Sequence, residues 1–166
     1  MRGGSGRRPG DTSVSPALSF LGATRSPQPA ATEAPAKKQV LFVCIGNAAR
    51  SQMAEAFARA YGSDVMVPQS AGTNPATMLA GHAVEILEAK NIRTEGQFPK
   101  GVDFFRESFD LVVNISGQPV TVPAVRTVEW TVADPGGQKE EAYRNAAQQI
   151  EVLVMRLILE LRTEKR

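Results

Sequence analysis

The chain has 166 residues, 42% of them hydrophobic and 22% charged, which suits one globular domain with a sizeable core and excludes a low-complexity chain. A single cysteine rules out an intramolecular disulfide and a cysteine-rich zinc site and points to reducing, cytoplasmic surroundings, while no apolar run reaches the roughly 20 residues that cross a bilayer. The net charge of +2 is uneven, since residues 1–38 hold six basic and two acidic side chains, a net +4, which leaves −2 on residues 39–166 and no electrostatic footprint for a nucleic-acid or membrane partner.

Residues 1–38 contain five of the eleven prolines and no periodic apolar face, so this segment is expected to be a disordered tail. Its Arg, Ser and Ala content and the short patch Ala17–Leu21 are compatible with a transit peptide, although a plain tail or an upstream start-site artefact is the simpler reading. From residue 39 onward the apolar pattern alternates between strand-like and helix-like stretches. Gln39–Val43 reads as a buried strand and Ala49–Tyr61 as a helix of good helix formers without a breaker. Asp64–Ser70 reads as a second strand and Met78–Lys90 as a second helix. Phe109–Ile115 and Val125–Val132 read as two further strands, and Glu140–Leu161 as a closing helix whose Tyr143, Ala147, Ile150, Val154, Leu157 and Leu161 recur at spacings of three and four. Such alternation predicts a four-stranded parallel sheet in an open α/β/α fold, with helices on both faces and ligands beyond the carboxyl ends of the strands.

The only cysteine, Cys44, falls at one of those ends, in Val40-Leu41-Phe42-Val43-Cys44-Ile45-Gly46-Asn47-Ala48-Ala49-Arg50-Ser51. A loop entering a helix N-terminus meets unpaired N–H groups and positive dipole charge, a ready site for a tetrahedral oxyanion. Gly46 and Asn47 tolerate the left-handed conformation that lets successive amides of Ile45, Gly46, Asn47, Ala48, Ala49 and Ser51 curl toward one point. Arg50 can lay a planar fork on two oxyanion oxygens, which a lysine cannot imitate. The same field favours thiolate over thiol, and Ser51 can donate a hydrogen bond to the sulfur. A nucleophile inside an anion cradle is the expected arrangement.

Cys44-x5-Arg50-Ser51 followed by Gln52-Met53-Ala54-Glu55-Ala56, then Ser70-Ala71-Gly72-Thr73 and Asp134-Pro135, resembles the low-molecular-weight protein tyrosine phosphatases and the arsenate reductases that share their fold. The resemblance spans Gln39–Leu161 and implies that Cys44 attacks phosphorus in line to give a thiophosphate, while Arg50 and the loop amides hold the equatorial oxygens. It further implies that Asp134 protonates the leaving oxygen and then activates water. The leading expectation is therefore a phosphatase acting on phosphotyrosine proteins or small aryl phosphates, without a metal or organic cofactor. Departures from the family pattern are specific. Ala48 and Ala49 stand where the phosphatases usually carry a second loop cysteine, which leaves Cys44 open to over-oxidation. Gly136 and Gly137 stand where many carry ring-flanking aromatics, and Trp130 is either a substitute wall or a core or sheet-edge residue.

Ser51-Gln52-Met53-Ala54-Glu55, Ala83-Val84-Glu85-Ile86-Leu87 and Trp130 before Asp134-Pro135 are closer to the arsenate reductases. Asn114-Ile115-Ser116-Gly117 replaces the later cysteines of the thioredoxin-linked members, so arsenate reduction would need an external thiol and a redoxin. A non-catalytic oxyanion sensor is the third reading. His82 is expected to be an ordinary helical residue, Glu140 and Glu141 to sit in a first helical turn where acids suit the dipole, and Asn74–Ala80 and Gly117–Ala124 to shape substrate choice.

Overall fold

A computed structural model describes residues 36–164, so the tail expected over 1–38, with its Ala17–Leu21 patch, lies outside the described residues except for its last three positions. Lys38 already belongs to the first strand. In chain order the elements are β1 (Lys38–Cys44), α1 (Arg50–Gly62), β2 (Met66–Gly72), α2 (Gly81–Ala89), a single 3-10 turn (Val102–Phe104), β3 (Phe109–Asn114), β4 (Ala124–Glu129) and α3 (Glu140–Glu164). The strands form one parallel sheet in the order β2-β1-β3-β4, as an alternating α/β chain with crossover connections requires.

β1 lies inside the sheet, and Val40, Leu41, Phe42 and Val43 are fully buried, each side chain contributing roughly 1.5–3 kcal/mol of hydrophobic stabilisation. Their alternation divides the core. Val40, Phe42 and Cys44 point to the face covered by the helices, where Met53, Ala54 and Phe57 of α1, Ala83 and Leu87 of α2, and Ile150, Val154, Leu157, Ile158 and Leu161 of α3 assemble. Leu41 and Val43 point to the opposite face, which Val102, Phe105, Val120 and Val122 close together with Phe109 and Val112. Among the described residues, the second covering layer is thus built from a short turn and loops. α1 ends at Gly62, where an added Cβ would lie 2.6 Å from Ile158 Cγ1, so the missing side chain lets α3 cross close by.

Element boundaries moved where loop contacts compete with helix or strand. The expected helix start at Met78 shifts to Gly81 because the N–H of Ala80 is committed to the carbonyl of Ala48. β4 stops at Glu129 rather than Val132, since its neighbour β3 ends at Asn114 and the pairing closes with Trp130 N–H donating to Asn114 O. β2 runs on to Gly72 because β1 offers partners as far as Cys44. Cys44, Gly72, Asn114 and Glu129 therefore stand side by side at the carboxyl ends of the four strands, and the crevice beyond them is where an open α/β sheet binds ligands.

Candidate active site

The segment from Cys44 to Ser51 leaves β1, turns and enters α1, and its carbonyls decide its shape. Those of Cys44, Ile45, Gly46 and Ala48 accept hydrogen bonds from the N–H groups of Thr73, Asn74, Ala76 and Ala80 at 2.8–3.0 Å. The carbonyl of Asn47 accepts from Gln52 Nε2 at 3.1 Å. With the carbonyls drawn outward to the 73–80 segment, the N–H groups of Ile45, Gly46, Ala48 and Ala49 have no acceptor among the described residues, an unusual state for partly buried amides and a direct signature of an anion nest. Asn47 supplies the turn with φ 49°, in the left-handed region that Asn tolerates. α1 starts without a side-chain cap and without an acid in its first turn, so no group of that turn offsets its positive end.

Gly72 explains why a glycine is required on the neighbouring strand. A Cβ there would meet the carbonyl oxygen of Ile45 at 2.5 Å and the backbone nitrogen of Asn47 at 2.9 Å, so the anion loop rests directly on the β2 backbone.

Cys44 is 2% exposed, and its sulfur lies within the turn: the N–H of Asn47 donates to Sγ at 3.2 Å and Ser51 Oγ lies 2.9 Å away. Asn47 Nδ2 donates to Ser51 Oγ at 2.7 Å, which occupies the oxygen as acceptor and turns the Ser51 hydrogen onto the sulfur. Two donors thus converge on Sγ beside a helix N-terminus.

Arg50 is 5% exposed. Its Nη1 donates to the carbonyls of Ile115 and Val132 at 2.8 and 2.9 Å, backbone just past β3 and β4. This fixes one edge of the guanidinium and leaves Nε and Nη2 without a hydrogen bond among the described residues. Nη2 lies 3.5 Å from Asp134 Oδ2. Asp134 is 55% exposed at its side chain and is held by the N–H of Gly136, which donates to Oδ1 at 2.9 Å. A buried fork, an exposed carboxyl, a sulfur and a ring of free amides can bind a tetrahedral oxyanion, attack its central atom and deliver a proton to a departing oxygen.

Every residue of the expected loop is therefore brought to one place, and Asp134 reaches it through Arg50. Trp130 does not join them. Its ring is partly buried and lies 5.8 Å from that of Phe42, packed against the core. The His82 ring lies tilted against that of Tyr143, centroids 5.1 Å apart, near Glu85, and Glu140 pairs with Arg144 at 2.8 Å in the first turn of α3, so none of these belongs to the site. Ser116 and Asn114 form a small network in which Asn114 Oδ1 accepts from the N–H and the hydroxyl of Ser116. Gln52 and Gln97 escaped the sequence reading. Gln52 is 1% exposed on a helix start that is buried all round, and an amide at such a position must find partners; that was the available signal.

The model of the low molecular weight phosphotyrosine protein phosphatase family matches residues 39–166. A glutaredoxin arsenate reductase from Synechocystis sp. is 30% identical over 130 residues, which cover 75% of this chain and 98% of that protein. Among solved structures, an arsenate reductase in the phosphate binding state superposes with a TM-score of 0.68 at 30% identity, covering 75% of this chain and 98% of the other. The YwlE arginine phosphatase from Geobacillus stearothermophilus superposes with a TM-score of 0.59 at 25% identity, covering 77% and 95%. With the cysteine loop, the glycine it rests on and the Asp-Pro turn all in place, the chain belongs to the low molecular weight phosphotyrosine protein phosphatase family, on the branch of sequence similarity that includes arsenate reductases.

Proposed function

We propose that this protein is a single-cysteine arsenate reductase that draws its electrons from an external thiol and a redoxin, rather than the aryl phosphatase that its loop alone suggests. The observation that carries this reading is the packing of the partly buried Trp130 against the core. With Gly136 and Gly137 after Asp134-Pro135, no aromatic wall from that turn flanks a phosphoaryl ring, while the small oxyanion itself is fully provided for. The relatives named arsenate reductases support it, and the name of the Synechocystis protein couples the activity to glutaredoxin.

In the proposed reaction the Cys44 thiolate attacks arsenic(V) while the loop amides and Arg50 hold the remaining oxygens, and one oxygen leaves as water after taking a proton from Asp134. An external thiolate then attacks Cys44 Sγ. The electron pair of the sulfur–arsenic bond passes to arsenic, arsenite departs, and Cys44 remains as a mixed disulfide with the small thiol. A second thiol, on the redoxin, exchanges with that disulfide and restores Cys44. Two thiols are oxidised to one disulfide for each arsenate reduced. The chain has no second cysteine, so both come from outside.

Phosphate-ester hydrolysis is the second reading, favoured by the exposed Asp134 carboxyl beside Arg50 and by the arginine phosphatase among the structural relatives. One experiment separates the readings: purified protein with arsenate and glutathione plus glutaredoxin, or with mycothiol or thioredoxin systems, beside the same protein with para-nitrophenyl phosphate. Thiol-dependent arsenite formation supports the reductase. Nitrophenol release without arsenite formation supports the phosphatase, and oxyanion binding with neither product supports a sensor.

A further inference from the structure

The Cys44 sulfur is the end of a longer chain of hydrogen bonds whose direction can be read without ambiguity. Asn47 Oδ1 accepts from the backbone N–H of Lys100 at 2.9 Å, a group that can only donate, so the oxygen side of that amide faces away from Ser51 and Nδ2 faces it. Gln52 Nε2 donates to two backbone carbonyls, of Asn47 and Phe98, at 3.1 and 2.9 Å, groups that can only accept. That nitrogen has two hydrogens for three acceptors, so one hydrogen is shared between the carbonyl and the Oδ1 of Asn47, the latter at 3.0 Å, and Gln52 Oε1 is left to accept from Gln97 Nε2 at 2.7 Å. Gln97 Oε1 in turn accepts from Arg59 Nη2 at 3.1 Å.

We infer that Arg59, Gln97 and Gln52 are positioning residues for the nucleophile: a one-way relay from the Arg59 guanidinium through Gln97, Gln52, Asn47 and Ser51 polarises the hydroxyl donated to Cys44 Sγ and holds the sulfur as a thiolate. Each link donates toward the sulfur, so the amide dipoles align and strengthen one another. Asn47 and Ser51 are fully buried and Gln52 is 1% exposed, which keeps the inner half of the relay away from water. Glu55 Oε2 pairs with Arg59 at 3.0 Å and offsets part of its charge, so the aligned amides carry most of the effect. The relay rests on Cys44 being the nucleophile, which the reductase and phosphatase readings share.

The test uses the full chain and needs no substrate. Cys44 is the only cysteine, so the rate of alkylation by iodoacetamide as a function of pH, and the ultraviolet absorbance of the thiolate, report this sulfur alone. The variant Gln97→Glu keeps the size of the side chain and its bond to Arg59 but cannot donate to Gln52 when ionised. Arg50 and Glu55 on α1, Lys100 beside the loop and Asp134 after β4 are the other charged groups of the neighbourhood, and all remain. The expected result is a movement of the alkylation midpoint toward higher pH, with a shift in the same direction for Gln52→Met. In a Ser51→Ala background the Gln97→Glu shift should vanish, because the relay no longer reaches the sulfur. An unchanged midpoint in folded Gln97→Glu overturns the relay, and so does a shift that persists undiminished without the Ser51 hydroxyl, which would be a direct field effect. Should Gln52→Met fail to fold, the half-buried Gln97 position decides the matter alone. Because the readout is the sulfur itself, a failed arsenate assay leaves this result standing.

Discussion

Replacing Gly72 by alanine tests the claim that the anion loop is shaped by the strand beneath it. The new Cβ would lie 2.5 Å from the Ile45 carbonyl oxygen and 2.9 Å from the Asn47 nitrogen, where Cβ contacts below 3.0 Å are essentially never seen. Both neighbours are backbone, and the Ile45 carbonyl is tied to Asn74 N–H at 2.8 Å, so no flexible side chain can yield. The loop must lift by half an ångström or more. Overpacking of this kind costs about 1–3 kcal/mol, which for a domain of this size lowers the melting temperature by roughly 3–10 °C. Lifting the loop also misaims the N–H groups at an oxyanion, and loss of one charge-assisted hydrogen bond weakens binding by about tenfold or more. Calorimetric titration with arsenate and with phosphate, alongside thermal unfolding, reads both effects. Gly81→Ala is the control, because an added Cβ there meets nothing within 4 Å. A Gly72→Ala protein that melts lower yet binds both oxyanions as tightly as wild type would refute the reasoning.

Asp134→Asn should slow turnover of whichever substrate is used by about 10²–10⁴-fold while oxyanion affinity measured by titration persists, since the loop and Arg50 are untouched. Arg50→Lys should weaken oxyanion binding by at least about tenfold, because an ammonium cannot satisfy the Ile115 and Val132 carbonyls and present a fork at once; equal affinity would contradict the role given to the guanidinium. The Tyr61 hydroxyl donates to Glu151 Oε2 at 2.8 Å, and burial, helped by Glu151, pushes it up to about 12 from an ordinary 10.0. An unfolded tyrosine ionises first, so this contribution is complete below about pH 10 and is lost as the pH rises toward 12. Alkaline unfolding curves of Tyr61→Phe should lack that component, and identical curves would remove Tyr61 from the alkaline limb.

Much of the site was legible because its chemistry is written in residue types. Val40–Val43 announces a buried strand, Cys44 at its end and Arg50 six residues later fix the loop, and Gly46 and Asn47 supply the turn. What stayed hidden depends on backbone and on distance along the chain. The acceptors that hold Arg50 are the carbonyls of Ile115 and Val132, and a carbonyl leaves no trace in the sequence. Gln52 and Gln97 lie 45 positions apart, so nothing local marks them as partners. Gly72 was noticed as part of a resemblance, but its physical reason, the loop resting on its Cα, needed the register of β1 on β2. The position of Trp130 just past β4 allows a wall, a core or a sheet-edge residue, and its packing against Phe42 is visible only in the fold. The second face of the sheet was expected to carry helices because parallel strands need crossovers; loops and the Val102–Phe104 turn cover it instead.

The role of Cys44 is tested most directly by comparing wild-type protein with Cys44→Ser, each incubated with arsenate, glutathione and glutaredoxin, with arsenite quantified and the intact protein mass read during turnover. Wild type should release arsenite and carry one glutathione on Cys44, and Cys44→Ser should do neither. Arsenite formed at the same rate by Cys44→Ser would contradict the central role of that sulfur.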